Sequence, residues 1–232
     1  MVNHKALRTM KKILILFLAS ILSLGSLSAK SKYKIQMIDI IHGQDFWQNG
    51  YVLYNVQTKD AILIDPGKVD NQIEDYIKSN NLNITAILNT HGHGDHVGGN
   101  AHYKTLYKVN VYAHIAEKRI HRTKNIITFF EEDQAPIIEG FKGLKFYHIP
   151  GHSPGSIAIH IEDILVTGDT LQKEGIGSTP NKTEEEDEKY TNMEINSIKT
   201  KLMILPDTTL VYPGHGYETS IGYERKNNEW LK

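Results

Sequence analysis

Apolar and polar residues alternate from Tyr33 to Ile41 in a stretch rich in β-branched side chains, which predicts a strand. Tyr51–Val56 and Ala61–Ile64 read as two more strands joined by the polar turn Gln57–Asp60, a hairpin that ends at Asp65-Pro66-Gly67. The period then changes: Val69, Ile73 and Ile77 recur at helical spacing within Val69–Asn80. Ile84–Leu88 reads as a short strand, followed by a histidine-rich loop and a helix around Asn100–Tyr107. Asn110–Ala113 predicts a strand and Ile115–Arg122 a helix. A second run of strands follows at Leu144–Ile149, Ser156–Ile161 and Ile164–Thr167. Tyr190–Leu205 predicts a helix, Thr209–Tyr212 a strand and the tail a short helix. Strand runs in both halves with helices between them predict an α/β arrangement of sheets covered by helices. Two segments break the pattern. Gly43–Gln48 places Phe46 and Trp47 in a polar loop, which reads either as a loop tucked onto the core or as a hydrophobic flap over a site. Lys182–Glu188 is strongly acidic and reads as a solvated, mobile loop.

Residues 1–29 follow a different logic. They hold no acidic residue, and Lys11 and Lys12 precede a short apolar run from Ile13 to Leu24, followed by Ser26, Ser28 and Ala29. This is the layout of a secretory signal peptide, with either Met1 or Met10 as its start. The run is shorter than the roughly 20 residues a membrane span needs, so no stable membrane insertion is expected after cleavage. The sequence therefore divides into a signal peptide, 1–29, and one domain, 30–232, that is periplasmic or secreted.

Composition narrows the chemistry. The 26 Lys plus Arg against 27 Asp plus Glu leave a net charge of −1, so nothing points to a nucleic-acid partner. There is no cysteine, which excludes disulfides, a thiol nucleophile, iron–sulfur clusters and thiolate metal sites. Twelve histidines are many for 232 residues, and their placement is informative.

His91-Gly92-His93-Gly94-Asp95-His96 follows the strand at Ile84–Leu88 directly. It gathers four side chains with metal-binding lone pairs in a loop whose glycines permit tight folding. Three more candidates stand beside glycines in strand-end contexts: His152 in Pro150-Gly151-His152-Ser153-Pro154-Gly155, Asp169 in Thr167-Gly168-Asp169-Thr170, and His215 in Pro213-Gly214-His215-Gly216. Imidazole and carboxylate suit zinc, and also iron or manganese, so the ligand types alone do not fix the metal.

The order H-x-H-x-D-H, then His, then Gly-Asp, then Gly-His-Gly resembles the metallo-β-lactamase-fold superfamily, and Asp65 in Leu63-Ile64-Asp65-Pro66-Gly67 matches that family's early aspartate. The resemblance spans about residues 33–230. Within the superfamily the chain is most similar to the compact bacterial branch of type II glyoxalases, on its tail Pro213-Gly214-His215-Gly216-Tyr217-Glu218-Thr219-Ser220-Ile221-Gly222-Tyr223-Glu224. The resemblance implies a four-layer αββα sandwich and a dinuclear centre. His91, His93 and His152 would bind one metal, Asp95, His96 and His215 the second, and Asp169 would bridge them. Asp65 would support the histidine loop without binding metal. His42, His102, His114, His121, His148 and His160 match no ligand position.

Such a centre implies two zinc ions per chain and metal-assisted hydrolysis of a small-molecule substrate, a thioester, lactone or similar ester. A metal-bridging hydroxide would attack, and Asp95 would orient it and pass its proton. Departures from the family bear on the substrate. Full-length type II glyoxalases carry a further helical region that helps bind glutathione, whereas this sequence ends at Lys232. The basic residue common after the glycine-rich stretch is replaced by Ser178-Thr179-Pro180, with Lys173 nearby. A glutathione thioester is therefore not the expected substrate. Two alternatives remain. A periplasmic β-lactamase-type hydrolase of the cysteine-free branch ranks lower, because those enzymes generally lack the bridging aspartate. Persulfide dioxygenases share the fold and tail but use one iron on two histidines and an aspartate, which the full set of seven side chains disfavours.

Overall fold

Strands β1 (Tyr33–Ile41) and β2 (Trp47–Asn55) pair antiparallel in unbroken register, from Tyr33 opposite Asn55 to Ile41 opposite Trp47. This computed structural model describes residues 31–44, 46–121, 124–179 and 183–232. The signal peptide predicted for residues 1–29 lies outside the described residues. β2 begins at Trp47, ahead of the expected Tyr51, because Gln48 and Asn49 are buried polar residues that no hydrophobic pattern marks. β3 (Asp60–Ile64) completes the hairpin.

Helix α1 (Asn71–Ser79) starts where Asp70 accepts a hydrogen bond from the Gln72 amide at 2.9 Å, and it buries Ile73 and Ile77. It returns the chain so that β4 (Asn83–Leu88) lies parallel to β3. The histidine segment, expected as a loop, contains one helical turn, α2 (Gly94–Val97), and α3 (Asn100–Tyr107) follows as predicted. β5 (Val111–His114) and β6 (Ile127–Phe130) extend the sheet in parallel, giving six strands in the order β1-β2-β3-β4-β5-β6. The helix expected at Ile115–Arg122 is a 3-10 segment, Ile115–Arg119. β6 is too short and too mixed in polarity to stand out in the sequence.

The second sheet is built from β7 (Lys145–His148), β8 (Ile157–Ile161) and β9 (Ile164–Gly168), all antiparallel neighbours. A small hairpin, β10 (Leu171–Gln172) with β11 (Gly175–Ile176), follows. β12 (Leu210–Pro213) then pairs parallel to β9 and antiparallel to β13 (Thr219–Ser220), so the order is β13-β12-β9-β8-β7.

The acidic stretch expected as a mobile loop is helical over its described part. Helix α4 (Glu184–Ser197) begins at Glu184, where Thr183 Oγ1 accepts from the Glu186 amide at 3.1 Å. Glu184, Glu185, Glu186 and Asp187 lie in its first turn, where carboxylates complement the positive end of the helix dipole. The helix runs on into a π turn at Ile198–Leu202.

Strand parity sorts the apolar side chains into three cores. Tyr51, Leu53, Ile62 and Ile64 meet Ile157, Ile159 and Val166 between the sheets. Val52 and Leu63, of opposite parity, meet Ile73 and Ile77 of α1 and Tyr103 of α3. Ala158, Leu165 and Val211 meet Ile198, Leu202 and Ile221, the last at the start of α5 (Ile221–Asn227). Each fully buried Val, Leu or Ile among them stabilises the fold by about 1.5–3 kcal/mol relative to exposure. The result is the αββα sandwich. Among the described residues, no helix is long and apolar enough to cross a membrane.

Candidate metal centre

The parallel pairs β3/β4 and β9/β12 bring four strand C-termini to one edge of the sandwich. Asp65 follows β3, Asn89-Thr90-His91 follows β4, Asp169 follows β9 and Gly214-His215 follows β12. His152 sits in the turn between β7 and β8. Backbone bonds join these ends within and across the two sheets. The Ile157 amide donates to Thr90 O at 2.9 Å, the Gly214 amide to Gly168 O at 2.7 Å, and the Asn49 amide to Gly214 O at 2.8 Å. One helical turn, α2, presents Asp95 and His96.

All seven predicted ligand residues converge there. His93 Nδ1 lies 3.1 Å from His91 Nε2 and 3.0 Å from His152 Nε2. Asp95 Oδ2 lies 3.3 Å from His215 Nε2 and 3.6 Å from His96 Nε2. Asp169 stands between the two groups. Its Oδ2 is 3.8 Å from His91 Nε2, 3.4 Å from His152 Nε2 and 3.5 Å from His215 Nε2, and its Oδ1 is 3.3 Å from His96 Nε2. His91–His93–His152 and Asp95–His96–His215 each hold their ligand atoms within 4.8 Å of one another. Asp65–His91–His96 meets the same limit, but the Asp65 oxygens are already engaged. Asp65 Oδ1 accepts from the Thr90 amide at 2.8 Å, and Oδ2 accepts from Thr90 Oγ1 at 2.5 Å and from His96 Nδ1 at 3.0 Å. Asp65 is thus placed as a support beneath the histidine loop.

Four of the five imidazoles are held from behind. His91 Nδ1 faces Thr90 Oγ1 at 3.1 Å, His152 Nδ1 faces Ser178 O at 2.7 Å, and His215 Nδ1 faces Trp47 O at 2.7 Å. Together with His96 on Asp65, this places the proton on Nδ1 and aims the Nε2 lone pair at the centre, the tautomer a metal requires. His93 is turned the other way, with Nδ1 inward. Three inward nitrogens around His93 cannot all satisfy one another as neutral imidazoles, since each contact needs a donor. His96 Nε2 and Asp169 Oδ1 are buried and make no hydrogen bond. Lone pairs facing one space, with orphaned buried atoms among them, fit a bound cation.

Electrostatics point the same way. Burial disfavours a charged Asp169, yet His96 and His215 hold its carboxyl well below the usual range. Asp95 is lowered too, with His215 and His96 outweighing burial. Burial opposes protonation of His215, but Asp169 and Asp95 push it up to about 9, and His96 is raised well above its ordinary value by Asp169 and Asp65 despite burial. His91, deep and surrounded by other imidazoles, is held well below its ordinary value by burial. The carboxylates demand positive charge at this spot. Close packing enforces the geometry: a Cβ on Gly214 would stand 2.1 Å from Asp169 Oδ1.

The sequence did not mark several supporting residues. Asn49 Nδ2 donates to Pro213 O at 3.0 Å and Gly216 O at 2.8 Å, bracketing His215. Glu117, buried, accepts from Ser153 Oγ at 2.7 Å and the Gly155 amide at 2.6 Å. Glu194, also buried, accepts from the amides of His152 and Gly177, and burial raises its carboxyl to about 8. Such glutamates look like surface residues in sequence. Among the described residues, no Lys or Arg pairs with Asp65, Asp95, Asp169, Glu117 or Glu194.

The remaining described histidines stay out of these ligand groups. His102 bonds Glu74, His160 bonds Glu162 O, His121 contacts Asn89, and His114 stacks on His148 with ring centroids 4.0 Å apart. His42 lies on the rim, 5.8 Å from the Phe46 ring. Phe46 in turn sits 5.4 Å from the His215 ring and is half exposed, so this segment borders the centre instead of tucking into the core.

Two packed sheets between helix layers, with a histidine–aspartate cluster at one edge, define a metal-dependent hydrolase class. The chain belongs to the metallo-β-lactamase superfamily, whose sequence profile matches residues 46–215. It is 32% identical over 213 residues to hydroxyacylglutathione hydrolase GloC of Haemophilus influenzae, covering 84% of this chain and 97% of that protein. The BLEG-1 B3 metallo-β-lactamase crystal structure superposes with a TM-score of 0.73 at 29% identity, covering 86% of this chain and all of that one. A di-iron-bound form of TTHA1623 gives 0.67 at 25% identity, covering 84% of this chain and 100% of that one.

Proposed function

We propose that this protein is an exported dinuclear zinc hydrolase that cleaves a thioester, lactone or similar ester. The observation that carries the reading is Asp169, whose Oδ2 lies within 3.8 Å of His91 and His152 on one side and of His215 on the other. In this reading His91, His93 and His152 hold one ion, Asp95, His96 and His215 hold the second, and Asp169 is shared. Two bound zinc ions would polarise the substrate carbonyl and lower the pKa of water to near neutrality.

The chain's own residues set the rest. Asp95, only partly buried, presents a carboxylate at the mouth of the centre, where it orients the attacking water and takes up its proton. Thr90 and Ser153 hydroxyls are tied to Asp65 and Glu117, and there is no cysteine, so water is the nucleophile. Clefts of about 330 and 510 Å³ flank the His152 loop, and no described Lys or Arg lines either. Lys173 stands over the Tyr223 ring at 5.8 Å. An anionic leaving group such as glutathione has no cationic partner among these residues, which favours neutral thioesters and lactones. The likeness to a B3 β-lactamase makes β-lactams the second class to screen.

Export rests on residues 1–29, and the N-terminal sequence of the secreted or periplasmic protein should begin at Lys30. Elemental analysis of the purified protein beside His93→Ala tests the centre. Two zinc ions per chain, reduced in the variant, are expected. One iron per chain with little zinc would overturn the hydrolase and turn the search to persulfide oxidation.

A further inference from the structure

Glu194 lies in the last turn of α4, a helix whose sequence is dominated by acidic and polar residues, yet its side chain is fully buried. It points at the loop that carries His152. Oε2 accepts from the His152 amide at 2.6 Å, and Oε1 accepts at 3.2 Å from the Gly177 amide, which it shares with Thr170 O at 3.1 Å. Gly177 precedes Ser178, whose carbonyl takes the His152 Nδ1 proton at 2.7 Å. One carboxylate therefore grips both the backbone that bears the His152 ring and the backbone that orients it. The fit is close: a Cβ on Gly151 would stand 2.3 Å from Glu194 Cβ. No Lys or Arg pairs with this carboxyl among the described residues, and the hydrogen bonds it makes are to the two backbone amides.

We infer that Glu194 is a positioning residue of the centre, holding the His152 imidazole in register for metal by clamping the 151–152 and 177–178 segments together. The inference rests on the reading of His152 as a ligand. A carboxyl presents an oxygen to each amide, whereas a glutamine offers one acceptor oxygen and turns an NH2 toward the second amide. Outer-shell partners of metal-bound histidines typically govern affinity by 10–100-fold.

The test is cobalt(II) titration of the metal-stripped full-length protein, followed by its visible absorption. Wild type, Glu194→Gln and Glu194→Asp are compared alone and in a His215→Ala background, which isolates the His91–His93–His152 group. We expect Glu194→Gln to bind cobalt about 10–100-fold more weakly in the His215→Ala background, with an altered band shape, and Glu194→Asp to recover part of the loss. Unchanged affinity and spectrum in Glu194→Gln would overturn the assignment. So would failure of both variants to fold, which would leave the carboxylate to the fold alone. Wild-type stoichiometry is read separately: one cobalt instead of two sinks the dinuclear reading, while the ratio between Glu194→Gln and wild type still decides the role of Glu194.

Discussion

Asp65 Oδ2 lies 3.0 Å from His96 Nδ1 while the other Asp65 oxygen caps the Thr90 amide, so one carboxylate fixes two points of the segment that presents His91, His93, Asp95 and His96. It does so from a left-handed backbone conformation, φ 48°, which few side chains other than Asn and Asp accept readily. Asp65→Asn keeps the shape and the backbone preference but removes the anion. Its amide can satisfy only part of the set of donors from Thr90 and His96. We expect metal affinity to fall about 10–100-fold with the fold retained. Competition with a chromophoric chelator, read beside circular dichroism, decides it; wild-type affinity in the variant would remove Asp65 from the support of the centre.

Metal removal should reach well beyond activity. Asp65, Asp95 and Asp169 crowd the centre, with no described Lys or Arg paired to any of them. Burying that charge is costly unless it is answered. A ligand present at a thousand times its dissociation constant stabilises the folded state by about 4 kcal/mol per site, or roughly 10 °C in Tm for a domain of this size. Calorimetric scans with and without EDTA should differ by at least that amount, and re-addition of zinc should restore the transition. Coincident scans would mean that the cluster closes as well empty as loaded.

The sequence makes the sandwich and its site legible to different depths. β1, the β2–β3 hairpin and α1 are visible because their apolar residues keep a clean period against one covered face. His91, His93, Asp95 and His96 are visible because metal-binding side chains crowd one strand end. What stays hidden is polar and non-local. Asn49 meets Pro213 and Gly216, and Glu194 meets His152, across stretches of chain that no local pattern connects. The acidic run at Glu184–Glu188 misleads for a related reason: charge alone reads as solvated loop, whereas a cap and the helix dipole turn the same charges into a helix start.

That reversal is testable at Thr183. Its hydroxyl takes the Glu186 amide, which is otherwise an unsatisfied donor of the first turn. Thr183→Ala should cost about 1 kcal/mol in urea unfolding, while Thr183→Asp, which supplies an equivalent acceptor, should stay near wild type. An unchanged Thr183→Ala would show that the hydroxyl does not act as a cap.

Stability should also depend on pH through His114, away from the centre. Its ring is buried and stacked on His148, with Lys201 nearby, and its pKa is pushed down to about 4 by burial first and by the neighbouring His148 next, with Glu132 opposing. The folded state thus keeps His114 neutral where the unfolded chain, near pKa 6.5, takes up a proton. Below about pH 6.5 the unfolded state binds more protons, so this contribution is complete above that pH and is lost as pH falls toward 4. The shift corresponds to about 3 kcal/mol by the lower end of the window. His121, also lowered to about 4 by burial, acts in the same direction. His114→Asn retains an acceptor for the Ala116 amide that His114 Nδ1 now takes, and cannot titrate. Urea midpoints at pH 7.5 and pH 5 should therefore fall less in the variant than in the wild type. An equal fall in both would show that His114 already carries its proton when folded, and the stacked pair would then have to bury that charge beside Lys201.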